Sequence, residues 1–135
     1  MKGYLLDTNH LSEAIRPGSP LAKRFGSAQR RGYRVGLCIP VLCELESGIQ
    51  GLSHPEEHRF GLTRVLEHAK IWPIDSATAL HYGRLFHVLR GRGRVLSQVD
   101  MMVAALAAQM DLTILTADQD FAAVPNLSVE NWIER

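Results

Sequence analysis

Short apolar runs alternate along the chain with longer segments in which apolar residues recur every three or four positions. The short runs predict strands at 4–6, 35–39, 71–74, 112–115 and 128–129. The periodic segments predict helices at 10–15, 21–31, 41–50, 55–69, 76–89 and 98–110. Strands that alternate with helices in this way indicate βαβ units, and therefore a parallel sheet with helices on both faces. The pattern predicts a three-layer α/β/α fold with a mostly parallel sheet of about five strands.

Three local signals refine this prediction. Segment 98–110 is almost entirely apolar, which favours a buried helix. Pro73 within the third strand argues that this strand lies at an edge of the sheet. In helix 55–69, the spacing of Phe60, Leu62 and Val65 predicts that these three side chains face the core.

Length and composition fit one globular domain spanning 1–135. The chain has 46% hydrophobic and 21% charged residues, and it carries no apolar run near the roughly 20 residues that cross a bilayer. No signal peptide is visible at the start, so a cytoplasmic protein is expected. Cys38 and Cys43 are the only cysteines. They lack the partners of a zinc site and are expected to be buried, reduced thiols.

The formal net charge is only +1, but the arginines are clustered. One cluster lies early in the chain and another near residue 90, and their members are Arg24, Arg30, Arg31, Arg34, Arg84, Arg90, Arg92 and Arg94. Such clusters occur both on nucleic-acid-binding surfaces and on ordinary solvated helix faces. Charge alone leaves both interpretations open.

Acidic residues fall at comparable places in successive units of the predicted fold. Asp7 follows the first strand, Asp118 follows the fourth, Glu44 lies early in the helix after the second strand, and Asp100 lies in the apolar helix. Asp7 and Asp100 are also well placed to cap helices. Four acids at one end of a sheet would repel one another unless a cation offsets their charge, and all-oxygen ligands favour Mg²⁺ or Mn²⁺. One ion or two would suit phosphodiester chemistry.

Five segments in order support a family assignment. They are L-L-D-T-N at 5–9, P-V-L-C-E-L at 40–45, S-Q-V-D-M-M-V-A-A-L-A at 97–107, L-T-A-D-Q-D-F at 115–121 and V-P-N-L-S-V-E-N-W at 124–132. With these segments the chain resembles the PIN-domain nucleases, in particular the VapC-type toxins of type II toxin–antitoxin pairs. The resemblance covers the chain nearly end to end. It implies an Mg²⁺- or Mn²⁺-dependent endoribonuclease that cleaves tRNA, rRNA or mRNA and blocks translation.

The resemblance also implies roles for individual residues. Asp7, Glu44 and Asp100 match the family's first three acids, and Asp118 is the choice for the fourth, with Asp120 as the alternative. Polar residues that would orient the carboxylates or water are Thr8, Asn9 and Thr116. The loop R-G-R-G-R-V-L-S at 90–97 is more basic than is usual in the family. It contributes Arg90, Arg92 and Arg94 as candidate RNA contacts.

The expected partners follow from the same resemblance. They are an RNA substrate, a small antitoxin that presents an Arg to the acidic pocket, and a second copy of the chain, in a homodimer or a dimer of toxin–antitoxin heterodimers. A membrane is not expected. Two rival interpretations are a phosphatase with Asp7 as its nucleophile and a degenerate PIN domain that binds RNA or protein without cleaving it. Asn9 disfavours the first, because such phosphatases commonly carry an acid at that position.

Overall fold

The computed structural model describes residues 2–133, which form five strands, six α-helices and a short 3₁₀ helix. The strands are β1 (Gly3–Leu6), β2 (Arg34–Cys38), β3 (Lys70–Trp72), β4 (Thr113–Leu115) and β5 (Val129–Glu130). The α-helices are α1 (Thr8–Ala14), α2 (Pro20–Arg30), α3 (Ile39–Gln50), α4 (Glu56–His68), α5 (Ser76–Gly91) and α6 (Gln98–Met110). The 3₁₀ helix is Gln119–Ala123.

The five strands form one sheet in the order β3-β2-β1-β4-β5, and every neighbouring pair is parallel. Helices cover both faces, so the predicted three-layer α/β/α fold is confirmed. Strand β1 lies at the centre, with β2 on one side and β4 on the other. The chain adds strands on both sides of β1, so the direction of the strand order changes there. Open α/β sheets bind ligands beyond the carboxyl ends of the strands at such a point.

The apolar segments of the sequence form the buried core. Leu5 and Leu6 of β1 are completely buried, and β4 is buried along its whole length. Helix α6 has the bounds predicted for it, and its buried residues include Met101 and Val103. Strand β3 lies at the sheet edge, as Pro73 predicted. Among the residues that the structure describes, no helix is long and apolar enough to cross a membrane.

Helix α4 packs so tightly against the end of α1 that only glycine fits at position 61. A Cβ atom built on Gly61 would lie 1.9 Å from the carbonyl oxygen of Ile15. Leu62 beside it is buried, but the Phe60 side chain is 62% exposed, so the prediction that Phe60 faces the core is wrong. The close backbone contact fixes the rotation of α4 and turns Phe60 towards solvent.

Other differences from the sequence-based predictions are local. Ile39 begins α3 instead of ending β2, because Pro40 favours the first turn of a helix. Cys38 is buried, whereas Cys43 is exposed on α3. The 3₁₀ helix after β4 was not predicted; it begins where the Asp118 side chain accepts a hydrogen bond from the backbone N–H of Asp120.

Candidate active site

The site lies beyond the carboxyl ends of β1 and β4. The two strands pair in register at Leu6 and Leu115, so the next residue of each strand, Asp7 and Thr116, emerges at the same edge of the sheet. The backbone N–H of Asp7 donates to the carbonyl oxygen of Leu115 at 3.1 Å, which extends the pairing by one residue. Both side chains are buried.

Hydrogen bonds hold both oxygens of the Asp7 carboxylate. Oδ1 accepts the backbone N–H of His10 at 2.8 Å, which makes Asp7 the N-cap of α1. Oδ2 accepts the hydroxyl of Thr116 at 2.5 Å. The helix-cap role considered from the sequence is therefore real, and it is compatible with ligand binding because a carboxylate oxygen has two lone pairs.

Glu44 reaches the site from α3. Its side chain is exposed, and Oε1 accepts the hydroxyl of Thr8 at 2.5 Å. Thr8 directly follows Asp7 in the chain, so this bond draws the Glu44 carboxylate towards the end of β1. Asn9 is exposed and forms no hydrogen bond with these acids in the described part of the chain.

Asp100 lies in the first turn of α6, whose N-cap is Ser97. Burial raises the pKa of the Asp100 carboxyl, and the negative charges of Asp118, Asp7 and Glu44 raise it further. A hydrogen bond from the Ser97 side chain acts in the opposite direction. Because a charge shifts a neighbouring pKa only at short range, the four acids that the sequence singled out share one electrostatic environment.

Asp118 is attached to the same hydrogen-bond network. Its backbone N–H donates to Thr116 Oγ1 at 3.0 Å, and the Thr116 hydroxyl in turn donates to Asp7. Asp120, two residues after Asp118 and within the 3₁₀ helix, is exposed, and its backbone N–H donates to the Asp118 side chain. The charge that acts on Asp100 from this segment is that of Asp118.

The donor chemistry of this cluster fits a hard divalent cation. All four groups are carboxylates, and mutual repulsion already opposes the ionisation of Asp100. Within residues 2–133, no three or more His, Cys, Asp or Glu side chains are grouped so that they could together hold an ion. Mg²⁺ is commonly bound by one or two carboxylates and several waters, a mode that does not need three protein ligands in contact.

Sequence reasoning missed one residue of the site, His10. Its imidazole is completely buried, Nε2 accepts the backbone N–H of Trp132 at 3.1 Å, and Nδ1 lies 3.4 Å from Asp7 Oδ1. The one available signal was position: His10 stands three residues after Asp7, in the first turn of the helix that Asp7 caps. Nothing in the sequence indicated the contact with Trp132, which lies 122 residues away.

The basic loop leads directly into the site. Arg90 is in the last turn of α5, Arg92 follows that helix as its C-cap, and Arg94 lies in the loop before α6. All three side chains are exposed. The loop is followed by α6, whose first turn carries Asp100.

Comparison with known proteins gives a consistent result. Residues 4–127 match the family model described as the PIN domain. The chain is 25% identical to Ribonuclease VapC2 of Rickettsia felis, over 96% of this chain and 97% of that protein. It is 30% identical to Ribonuclease VapC4 of Mycobacterium tuberculosis, over 80% of this chain and 85% of the relative.

A solved structure shows the same fold. The crystal structure of VapBC2 from Rickettsia felis, bound to a DNA fragment from its promoter, superposes with a TM-score of 0.87. The match covers 96% of this chain and 98% of the other, at 24% sequence identity. At that identity the likeness establishes a common fold.

Proposed function

The chain belongs to the PIN domain family, and from this premise we propose that it is a divalent-metal-dependent endoribonuclease, the toxin of a toxin–antitoxin pair whose cleavage of RNA blocks translation. We take residues 1–135 as one nuclease domain. The relatives named Ribonuclease VapC, matched over most of their length, support the activity.

The observation that carries the proposal is the electrostatic coupling of the four acids. Burial raises the pKa of Asp100 most, and the charges of Asp118, Asp7 and Glu44 raise it further. Such a cluster opposes its own ionisation, and a bound cation would remove that opposition. A structural cluster of carboxylates would instead be expected to carry basic partners. No salt bridge joins Lys or Arg to any of these four acids within residues 2–133.

Each acid has a separate task in this proposal. Asp7 and Asp100 would bind Mg²⁺ or Mn²⁺, with Asp118 completing the site. The ion supplies charge stabilisation to the scissile phosphate. Glu44, held by Thr8 yet open to solvent, would orient the attacking water and accept its proton. Thr116 keeps the Asp7 carboxylate in place while water and phosphate enter.

The substrate would enter past the arginine loop. Arg90, Arg92 and Arg94 are exposed at and just after the end of α5, ahead of the helix that carries Asp100, and guanidinium groups bind phosphate oxygens well. Cleavage at an unpaired stretch of RNA is expected, since proteins that recognise an RNA sequence read unstacked bases.

For the antitoxin we propose a surface apart from the acidic pocket, a groove of about 890 Å³ between the end of α1, α2 and α4. Exposed Phe60 contributes an apolar wall, and Arg16, Arg30 and Arg64 surround it. These features suit a segment with apolar and acidic side chains. Phe60→Glu should abolish copurification of a coexpressed antitoxin, whereas Met110→Glu at an exposed site outside the groove should not. Unchanged copurification of the Phe60 variant would exclude the groove.

A second copy of the chain is the other proposed partner. Helix α5 exposes Leu80, Phe86 and Val88, and the Phe86 ring stacks on Tyr82 with 6.4 Å between centroids. An apolar face of this kind favours self-association. Light scattering should give the mass of two chains for the wild type and of one chain for Phe86→Arg.

The nuclease proposal is tested by incubating the purified protein with RNA and Mg²⁺ or Mn²⁺. Cleavage should appear with either ion, disappear with EDTA, and be lost in Asp7→Asn and Asp100→Asn. Asp75→Asn, which alters a helix cap elsewhere in the fold, is the matched control and should cleave normally. Metal-independent cleavage, or cleavage that survives both substitutions, would refute the proposal. RNA binding without any cleavage would instead favour the degenerate PIN domain.

A further inference from the structure

The imidazole of His10 is buried at the site, and the proposed chemistry gives it no role. The side chain is 0% exposed, and its Nδ1 atom has no hydrogen-bond partner within the described residues. Buried polar atoms of this kind are uncommon and call for an explanation. The nearest acidic atom is Asp7 Oδ1, 3.4 Å from Nδ1.

The contact with Trp132 determines which ring nitrogen carries the proton. Nε2 accepts the backbone N–H of Trp132 at 3.1 Å, so Nε2 itself is unprotonated. The proton of the neutral ring therefore resides on Nδ1 and faces the Asp7 carboxylate. The pair is not an ion pair, because an imidazolium ring would need a proton on Nε2 as well.

Trp132 is held firmly enough to fix this tautomer. Its ring packs against Tyr4, with 4.9 Å between centroids, and the guanidinium of Arg24 lies 4.4 Å from its ring centre. Its indole N–H donates to Glu130 Oε1 at 3.0 Å. The backbone N–H that reaches His10 is thus presented by an anchored residue.

We propose that His10 is a positioning residue for Asp7, which would bind the metal through Oδ2. This inference rests on the proposed function. Oδ1 of Asp7 accepts the backbone N–H of His10 at 2.8 Å and faces the Nδ1–H of the same residue. Two donors of His10 therefore face the two lone pairs of Oδ1. Oδ2 accepts only the Thr116 hydroxyl within the described residues, which leaves one lone pair for an ion. The 3.4 Å contact between Nδ1 and Oδ1 is longer than an ordinary hydrogen bond.

Two substitutions separate the two nitrogens of the ring. His10→Asn places an amide N–H near the position of Nδ1, whereas His10→Gln places an acceptor near the position of Nε2 and removes the donor to Asp7. Mn²⁺ affinity, measured by calorimetry on the purified chain without RNA, should fall about 10- to 100-fold in His10→Gln. His10→Asn should restore most of that loss. His54→Gln, the same change at an exposed histidine after α3, is the control and should bind Mn²⁺ like the wild type.

The outcomes distinguish this inference from the nuclease proposal. A wild type that binds no Mn²⁺ would overturn both. If the wild type and His10→Gln bind Mn²⁺ equally tightly, only the positioning role is overturned. The same holds if the Gln and Asn variants lose equal amounts of Mn²⁺ affinity.

A measurement on the unaltered chain does not depend on either variant folding. Nitrogen-15 NMR of the metal-free wild type should show the His10 proton on Nδ1, and added Mg²⁺ should shift that resonance. A proton on Nε2, or no shift while Mg²⁺ binds, would overturn the inference.

Discussion

The hydroxyl of Thr116 donates a 2.5 Å hydrogen bond to the carboxylate of Asp7, although the two residues are 109 positions apart. The same oxygen accepts the backbone N–H of Asp118. One side chain therefore connects two acids at the ends of neighbouring strands. Thr116→Val keeps the shape of the side chain and removes these bonds. We expect Mn²⁺ affinity to fall about 10- to 100-fold and the free energy of unfolding to fall by about 1–3 kcal/mol.

Thr113 of the same strand provides the matched control for this prediction. Its hydroxyl is hydrogen-bonded to Ser128 at 3.0 Å, outside the acidic cluster. Thr113→Val should lower the free energy of unfolding by a similar amount and leave Mn²⁺ affinity unchanged. Equal losses of metal affinity in the two variants would contradict a specific role for Thr116.

Glu44 and Glu46 allow the role of one carboxylate on α3 to be isolated. Glu44 accepts the Thr8 hydroxyl at the site, whereas Glu46 forms a salt bridge with Arg59 at 2.6 Å. If Glu44 accepts the proton of the attacking water, Glu44→Gln should slow RNA cleavage about 10²- to 10⁴-fold. Glu46→Gln should leave the cleavage rate intact, because it removes only a surface ion pair. Similar cleavage rates in both variants would argue against this role.

The ionised Asp100 should destabilise the metal-free protein at neutral pH. Burial and the neighbouring acids raise its folded-state pKa above the unfolded value of about 3.9. The stability associated with this carboxyl is therefore full below the unfolded pKa and is lost as the pH rises through the folded-state pKa. In EDTA at pH 7, Asp100→Asn should unfold at a higher temperature than the wild type. This gain should shrink as the pH falls towards 4.

Asp75 should affect the pH dependence of stability in the opposite direction and serves as the control. The backbone N–H of Thr78 lowers the pKa of the Asp75 carboxyl, so its contribution to stability is present above the unfolded pKa and is lost as the pH falls through the folded-state pKa. Asp75→Asn should therefore unfold at a lower temperature than the wild type at pH 7. The same direction of change in both variants would contradict the charge coupling at the site.

The arginine loop makes a prediction about salt. If Arg90, Arg92 and Arg94 contact phosphates, replacing all three by Gln should weaken RNA binding. It should also reduce the slope of log affinity against log salt by up to about 2, since each contact on a single strand contributes about 0.7. Binding would be measured in the presence of EDTA to prevent cleavage. Replacing the exposed arginines at 30, 31 and 64 removes the same charge elsewhere and should leave the slope nearly unchanged.

Two helix glycines should respond oppositely to alanine. Gly61 faces the Ile15 carbonyl oxygen, so Gly61→Ala forces the helices apart and should cost about 1–3 kcal/mol of the free energy of unfolding. Gly83 on α5 has nothing within 4 Å of a built Cβ, and Gly83→Ala should add about 0.5–1 kcal/mol. Urea denaturation measures both. A stabilised Gly61 variant would contradict the close packing of α4 on α1.

The local features of the fold were predictable from the sequence because they depend on neighbouring residues. The apolar run of α6 and the strand ending at Leu6 carry their own signals, and both occur where they were predicted. The side chain of Phe60 did not follow its periodic pattern, because Gly61 determines how α4 meets α1. Rotation of a helix about its axis depends on packing partners that periodicity does not identify.

The acids of the candidate site were predicted from the sequence, and the contacts around them were predicted only in part. Asp7 and Asp100 stand out because they interrupt or end apolar segments. Thr8 and Thr116 were expected as polar neighbours from the family resemblance, and both donate to acids of the cluster. The role of His10 depends on its hydrogen bond with Trp132, which lies 122 residues later in the chain. No local pattern could predict that contact.

The pairing of β1 with β4 also has a consequence for synthesis. Strand β1 leaves the ribosome before its neighbour β4, which begins at Thr113, and Trp132 must follow before His10 can contact it. Contacts between such distant segments form late, because the intervening chain has to be made and ordered first. While the intervening residues are being made, a nascent chain therefore carries Asp7 without the contacts that complete the candidate site. If the mature protein cuts RNA, this order of assembly protects the message and the ribosome that produce it.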